Sequence, residues 1–265
     1  MILPNGYQSM RLGSPIIGRG LCGLLVVLCI SACAPGGFNA FQQNLSQVAQ
    51  EQLKKSLAAH FMAELGKGIG SVMATLAKSG GYLDNPLVRI LLPPPLTLVF
   101  DVAHNLHANP QATLLEALMN QAAEKAIPSA APILQAALNN VTPAEARALL
   151  DGDSTAATTY LKTKTSAALE EALTSLVSAN LVASGAQQVY GELLATYPTQ
   201  KTGELATTDE KAPDLAHYVT ERAVAGLFTA LGAQEERIRE NLDTVTEGAL
   251  NGLEKAPRSI ASTIP

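Results

Sequence analysis

The stretch DLAHYVTERAVAGLFTALGAQEERIRENL, residues 214–242, decides how this chain folds. Asp214 stands where an N-cap belongs, and the residues after it have helical periodicity. Leu215, Tyr218 and Val219 lie on one face of that helix. Val224, Leu227, Phe228, Leu231, Ile238 and Leu242 lie on nearly the opposite face. A helix covered on one side only keeps its apolar residues on that side. This one changes sides, so either it passes between two layers or it bends near Gly226 or Gly232. The first alternative is the simpler one and predicts that the C-terminal helix is the centre of the core.

Upstream, the sequence is helical in the same way. Leu53, Leu57, Phe61, Leu65 and Ile69 recur every four residues, and Val72, Met73 and Leu76 extend the stripe, predicting a helix over 44–78. Gly66, Gly68 and Gly70 interrupt it. They lack the preceding strand and the spacing of a phosphate loop, and point to close helix packing or a bend. Asn109-Pro110 starts a helix to about Ala126, with Asn as cap and Pro in the first turn. Another helix is expected over 95–106, and another from Pro128 and Pro132 to near Asn139. Thr142-Pro143-Ala144-Glu145 is a capping box for a short helix that stops at Asp151-Gly152. Asp153-Ser154 is expected to cap a helix to about Val177, followed by a shorter helix over 187–196 and a polar loop over 197–213. No segment alternates with period two for long enough to be a strand, and there is no internal repeat.

One segment cannot be helical. Residues 82–95, from Tyr82 to Pro95, hold Pro86, Pro93, Pro94 and Pro95 among aliphatics that want burial. They are expected to lie across the helices as an extended, ordered strap. The fold class is therefore all-α: a compact single-domain bundle with a proline-rich strap and a central C-terminal helix.

The N-terminal residues report location. An apolar run from Leu21 to Ile30 follows Arg11 and Arg19, the layout of a secretory signal. At about ten residues it is well short of the ~20 that a spanning helix needs. Ile30-Ser31-Ala32-Cys33 ends it and resembles a bacterial lipobox: a branched aliphatic, two small residues that a peptidase can grip, and a thiol that takes up diacylglycerol. Met10 offers a second start that would give a shorter signal. Residues 1–32 are expected to be removed, Cys33 to be acylated as the first mature residue, 33–43 to form a tether, 44–245 the helical domain and 246–265 a tail. Ala34 after the cysteine, rather than Asp, fits sorting to the periplasmic face of the outer membrane of a Gram-negative bacterium.

Without residues 1–32 the chain has 233 residues, with 16 basic side chains against 23 acidic ones, a net charge of −7. That balance disfavours nucleic acid and electrostatic attachment to anionic lipid. Attachment then falls to the acyl chains, of which two or three hold stably where one is marginal. Cys22 and Cys29 leave with the signal, so no disulfide is available and packing alone must stabilise the domain.

Several stretches together resemble the bacterial family of unknown function called DUF4197. They are Gly81-Tyr82-Leu83-Asp84-Asn85-Pro86-Leu87-Val88-Arg89-Ile90, Met119-Asn120-Gln121-Ala122-Ala123-Glu124, the run 156–165 around Tyr160, and Tyr218 to Ala223 continuing through Gly226-Leu227-Phe228 to Asn241. The resemblance covers roughly residues 50 to 245. Leu161-Lys162 stands where an aromatic-arginine pair is usual, Leu242 where a proline is usual, and the 197–213 loop is longer. The resemblance implies a helical exported domain, often a lipoprotein, and brings no known activity or cofactor.

Candidate chemistry is sparse. Asp101, His104 and His107, three residues apart, have metal-ligand types, but three-residue steps drift around a helix and no fourth ligand presents itself; no metal site is assigned. His60 and His217 stand alone. Glu170-Glu171 and Glu235-Glu236 suit a solvated helix face. There is no G-x-S-x-G, H-E-x-x-H or P-loop, and an acylated Cys33 cannot act as a nucleophile. The remaining set is polar residues inside the motifs: Asn85, Arg89, Asn120, Glu124, Tyr160, Lys162, Thr165, Tyr218 and Arg239. They either form a network pinning the strap to the helices or converge on a pocket in which Arg89 and Lys162 hold an anionic head group. The expectation is a non-enzymatic lipoprotein that binds a partner protein or supports the envelope; the alternative is a carrier of a small amphiphilic or anionic ligand in an inter-helix pocket, and the third reading is a metal-dependent enzyme.

Overall fold

A computed structural model describes residues 37–94, 96–99, 109–196 and 212–255. The described elements are α1 (Gly37–Leu76), α2 (Leu96–Val99), α3 (Pro110–Ala126), a 3₁₀ turn (Ile127–Ala130), α4 (Ala131–Asn139), α5 (Pro143–Leu150), α6 (Ala156–Ala183), α7 (Ala186–Thr196) and α8 (Leu215–Lys255). Among the described residues there is no strand. The chain divides into two units, 1–54 and 55–265. Of the first, the described part is the beginning of α1, where Val48 and Leu53 are exposed. The second holds the rest of α1, the strap and the other helices.

The long C-terminal helix is the centre of the core, as its two-faced pattern predicts. α8 runs unbroken through Gly226 and Gly232 and packs against both α3 and α6. Leu215, Val219, Ala223, Leu227 and Leu231 are all buried, and so are Ile238 and Leu242. Gly226 has a specific use: a Cβ there would stand 3.1 Å from Tyr82 Cε1 and 3.1 Å from Val88 Cβ. The missing side chain lets the strap lie directly on the helix backbone.

Two of the three glycines expected to weaken α1, Gly66 and Gly68, serve packing and not a bend, while a Cβ on Gly70 would meet nothing within 4 Å. A Cβ on Gly68 would meet Ile238 Cδ1 at 3.2 Å, one on Gly66 would meet Leu138 at 3.5 Å, and the carbonyl of Gly66 accepts Gln135 Nε2 at 3.1 Å. α1 also begins earlier than its sequence pattern suggests, at Gly37 and not Asn44, so the second half of the expected tether is helical. The residues there, Ala40, Gln42 and Gln43 among them, are compatible with a helix, and no proline intervenes after Pro35.

Local start signals hold. Asn109 Oδ1 accepts the amides of Gln111 and Ala112, both at 3.0 Å. Thr142 and Glu145 form the reciprocal capping box of α5. α6 differs at both ends. It continues past Val177 to Ala183, because the buried stripe Leu161, Thr165, Leu169, Leu173, Val177 runs one further step of four to Leu181. The turn after it is closed by Gly185 at φ 77°. At its start, Asp153 Oδ1 accepts only the Thr155 amide, at 3.0 Å. The cap comes instead from Glu235 of α8, whose carboxylate accepts the amides of Ala157 and Thr158.

The strap is ordered, but only its second part is extended. Residues 77–88 coil into consecutive turns: Asp84 N donates to Gly80 O at 3.0 Å, and Arg89 N to Asn85 O at 2.9 Å. Gly80, at φ 79°, makes the first of them possible. From there Val88, Ile90 and Leu92 point inward. The coiled half satisfies much of its backbone locally, which an extended segment without a neighbouring strand cannot do, and leaves the amides of Tyr82 and Leu83 to a side chain of α3.

Of the helix expected over 95–106 the structure describes α2, residues 96–99; the rest of it, the signal segment 1–32, Cys33, residues 197–211 of the expected 197–213 loop and the part of the expected 246–265 tail beyond 255 lie outside the described residues, as do Asp101, His104 and His107.

Candidate functional site: the strap, its anchors and the adjoining groove

The extended half of the strap has backbone groups and no strand to pair with. Side chains of α3 supply the partners, and one of them reaches the coiled half as well. Glu116, Asn120 and Glu124 succeed one another at four-residue steps and therefore share a helix face. All three are buried, Asn120 completely. Glu124 Oε1 accepts the amides of Tyr82 at 3.1 Å and Leu83 at 3.4 Å. Asn120 Oδ1 accepts Ile90 N at 2.9 Å, while its Nδ2 donates to Ile90 O and Glu116 O, both at 2.8 Å. Glu116 takes Arg89 Nε in an ion pair. The strap thus runs antiparallel to α3, tied at 82–83, 89 and 90.

Two tyrosines tie it to α8 as well. Tyr82 OH donates to Ala223 O at 2.9 Å, and Tyr218 OH donates to Leu91 O at 3.1 Å. Burial pushes the Tyr82 hydroxyl far above the usual tyrosine range, and the negative charge of Glu124 adds to the rise. Burial also raises Tyr218, against the opposing pull of the Arg222 guanidinium, which lies 5.3 Å from its ring centre. Nearby, Tyr190 donates to Pro213 O at 3.1 Å and is pushed up to about 12 by burial and then by Asp214. At neutral pH all three are hydrogen-bond donors.

The nine polar residues therefore do not converge on one pocket. Asn120, Glu124, Arg89 and Tyr218 pin the strap, with Glu116 as an additional member. Arg89 is engaged by a buried carboxylate. Tyr160, Lys162 and Thr165 sit apart on α6: Tyr160 carries Lys164 over its ring at 5.7 Å, Lys162 is exposed, and Thr165 Oγ1 donates to its own helix at Leu161 O, 2.7 Å. Asn85 Oδ1 accepts Leu87 N at 3.1 Å and shapes the turn before the extended run. His60 and His217 are exposed.

Arg239 belongs to a second network, and there the expectation for Glu235 is corrected. Glu235 is fully buried and not on a solvated face; its neighbour Glu236 is the exposed one. Its two oxygens accept Ala157 N at 3.0 Å and Thr158 N at 2.7 Å, capping α6. Arg239 Nη2 donates to Glu235 Oε1 at 2.7 Å and to Leu149 O at 2.8 Å, and Nη1 to Leu150 O at 2.9 Å, capping the end of α5. Its guanidinium also covers the Phe61 ring at 4.6 Å. One ion pair on α8 thereby closes two helix ends. Among the described residues no group of histidine, cysteine or acidic side chains is arranged to hold a metal, and no helix is long and apolar enough to cross a membrane.

One groove opens beside the strap, between α1 and α8, with a volume of about 190 Å³. Buried Val72, Leu76 and Val88 give it an apolar floor, and the rest of the lining is largely polar, with Ser71, Thr75, Asn85, Thr229, Gln234 and Arg237. Leu87 stands at its lip and is 74% exposed, the most exposed of the large apolar side chains described.

Neither the curated proteins nor the solved structures contain a match to this chain. The sequence model of one family, described as a protein of unknown function, DUF4197, matches residues 47–252. That span takes in α3 to α7, the strap and all but the end of α8, and so every residue of both networks: the chain belongs to the DUF4197 family.

Proposed function

We propose that this protein is a lipoprotein of the periplasmic face of the outer membrane, anchored through acyl chains on Cys33, whose helical domain holds a partner protein and catalyses no reaction. The groove between α1, the strap and α8 is the docking site. The observation that carries this reading is the placement of Leu87. Single exposed leucines are ordinary on protein surfaces. This one rests on a segment whose neighbours on both sides are fixed by buried hydrogen bonds, and it borders an apolar floor. A pre-organised apolar contact of that kind lowers the ordering cost of association. The buried polar residues of the strap region support the same reading, since they are taken up in holding that surface in place.

Fractionation tests the anchor. The wild-type chain is expected in the outer-membrane fraction and a Cys33→Ser variant in the soluble periplasmic fraction. Equal distribution of the two would refute acyl attachment through Cys33.

A further inference from the structure

We infer that the groove selects a segment of a partner protein in which an apolar side chain of leucine or phenylalanine size lies next to an aspartate or glutamate. This deepens the docking reading above and rests on it. Three properties of the groove point to that chemistry. Its floor of Val72, Leu76 and Val88 favours an apolar side chain, and Leu87 at the lip extends the contact. Its volume of about 190 Å³ exceeds the ~150 Å³ cavity that takes a benzene ring, room for one side chain of leucine or phenylalanine size. Its charge is the third property. Arg237 is exposed at the rim, and its Nε donates to Ala233 O at 3.2 Å within its own helix. Among the described residues it forms no ion pair, unlike Arg89 and Arg239, whose carboxylates are built into the fold. A guanidinium without a carboxylate, beside an apolar floor and in a chain of net negative charge, is complementary to an acidic side chain.

The test uses the full-length chain in its own membrane, with the photo-crosslinking residue p-benzoylphenylalanine in place of Leu87. The expected result is an adduct with a partner, mapped by fragmentation to an apolar residue within two positions of an aspartate or glutamate. Arg237→Glu should lower its yield roughly tenfold or more, while Arg237→Lys retains most of it. Thermal melts of both Arg237 variants should match the parent, since the side chain bonds only to its own helix. An adduct that is insensitive to Arg237→Glu overturns this inference and leaves docking at the groove standing. So does an adduct mapped to a segment without acidic residues. Adducts with lipid alone, with a second copy of the chain alone, or no adduct at all overturn the docking reading itself.

Discussion

Replacing Glu235 by alanine is expected to be among the most damaging single changes in the domain. The side chain is fully buried and accepts from Ala157 N, Thr158 N and Arg239. Truncation leaves two buried amides without an acceptor, at about 1–3 kcal/mol each. It also leaves the Arg239 guanidinium, 14% exposed, without its carboxylate. Part of that loss is offset because Arg239 keeps the carbonyls of Leu149 and Leu150. The net cost should be about 4 kcal/mol, a large fraction of the 5–15 kcal/mol typical of a domain. Glu235→Gln keeps the shape and one acceptor oxygen, and should cost about half as much. The double variant with Arg239→Ala should cost less than the sum of the singles by about 1–3 kcal/mol, because both act on one unit. The chain has no tryptophan, so urea unfolding followed by circular dichroism is the suitable assay. A cost below about 1 kcal/mol for Glu235→Ala would mean that this carboxylate behaves as a solvated one, and that α5 and α6 are not closed by α8.

The same geometry sets other outcomes. Asn120→Ala orphans Ile90 N and Ile90 O and should cost about 2–4 kcal/mol in urea melts. Asn120→Asp, nearly the same shape, should cost at least as much, because it turns an acceptor toward two carbonyls that need a donor; a neutral Asp variant would refute the assignment. Alkaline pH should destabilise the fold. The hydroxyls of Tyr82, Tyr190 and Tyr218 are all raised in the folded state. Their contribution is complete below the unfolded value near ~10. Above it the unfolded chain releases protons that the folded chain retains, so stability falls as pH rises. For the deeply buried Tyr82 the loss amounts to about 1.4 kcal/mol in all between pH 9 and 11, since the unfolded tyrosine ionises progressively across that window, and Tyr82→Phe should remove it from melts taken there. An unchanged loss would place that hydroxyl in water.

Where the sequence was legible, local chemistry or a core-facing period was enough. The caps at Asn109 and Thr142 depend on residues within one turn, and the structure has both. The central position of α8 was legible because its apolar residues change face. The strap was legible as a segment too rich in proline for a helix and too apolar for solvent, although the turns that coil its first half, made with Gly80 and Asn85, were not. The features that escaped depend on distant partners. Glu235 and Glu236 look alike as neighbours, yet successive residues on a helix point about 100° apart, so one faces in and the other out. A signal was present: Glu235 falls in the Leu231–Ile238–Leu242 stripe, a carboxylate in core phase. Glu116 gave the same signal, four residues before Asn120 and beside Leu115 and Met119. The residue of the proposed docking surface that composition could not reveal is Leu87. An aliphatic in an apolar strap is expected to be buried, and only the three-dimensional course of the turn puts it outside.

The most direct test is the intact mass of the natural protein, extracted in detergent from cells that make it. The chain should begin at Cys33, lack residues 1–32 and carry diacylglycerol on the thiol. A soluble, unacylated chain that still has those residues attached would contradict acyl anchoring and the docking role built on it.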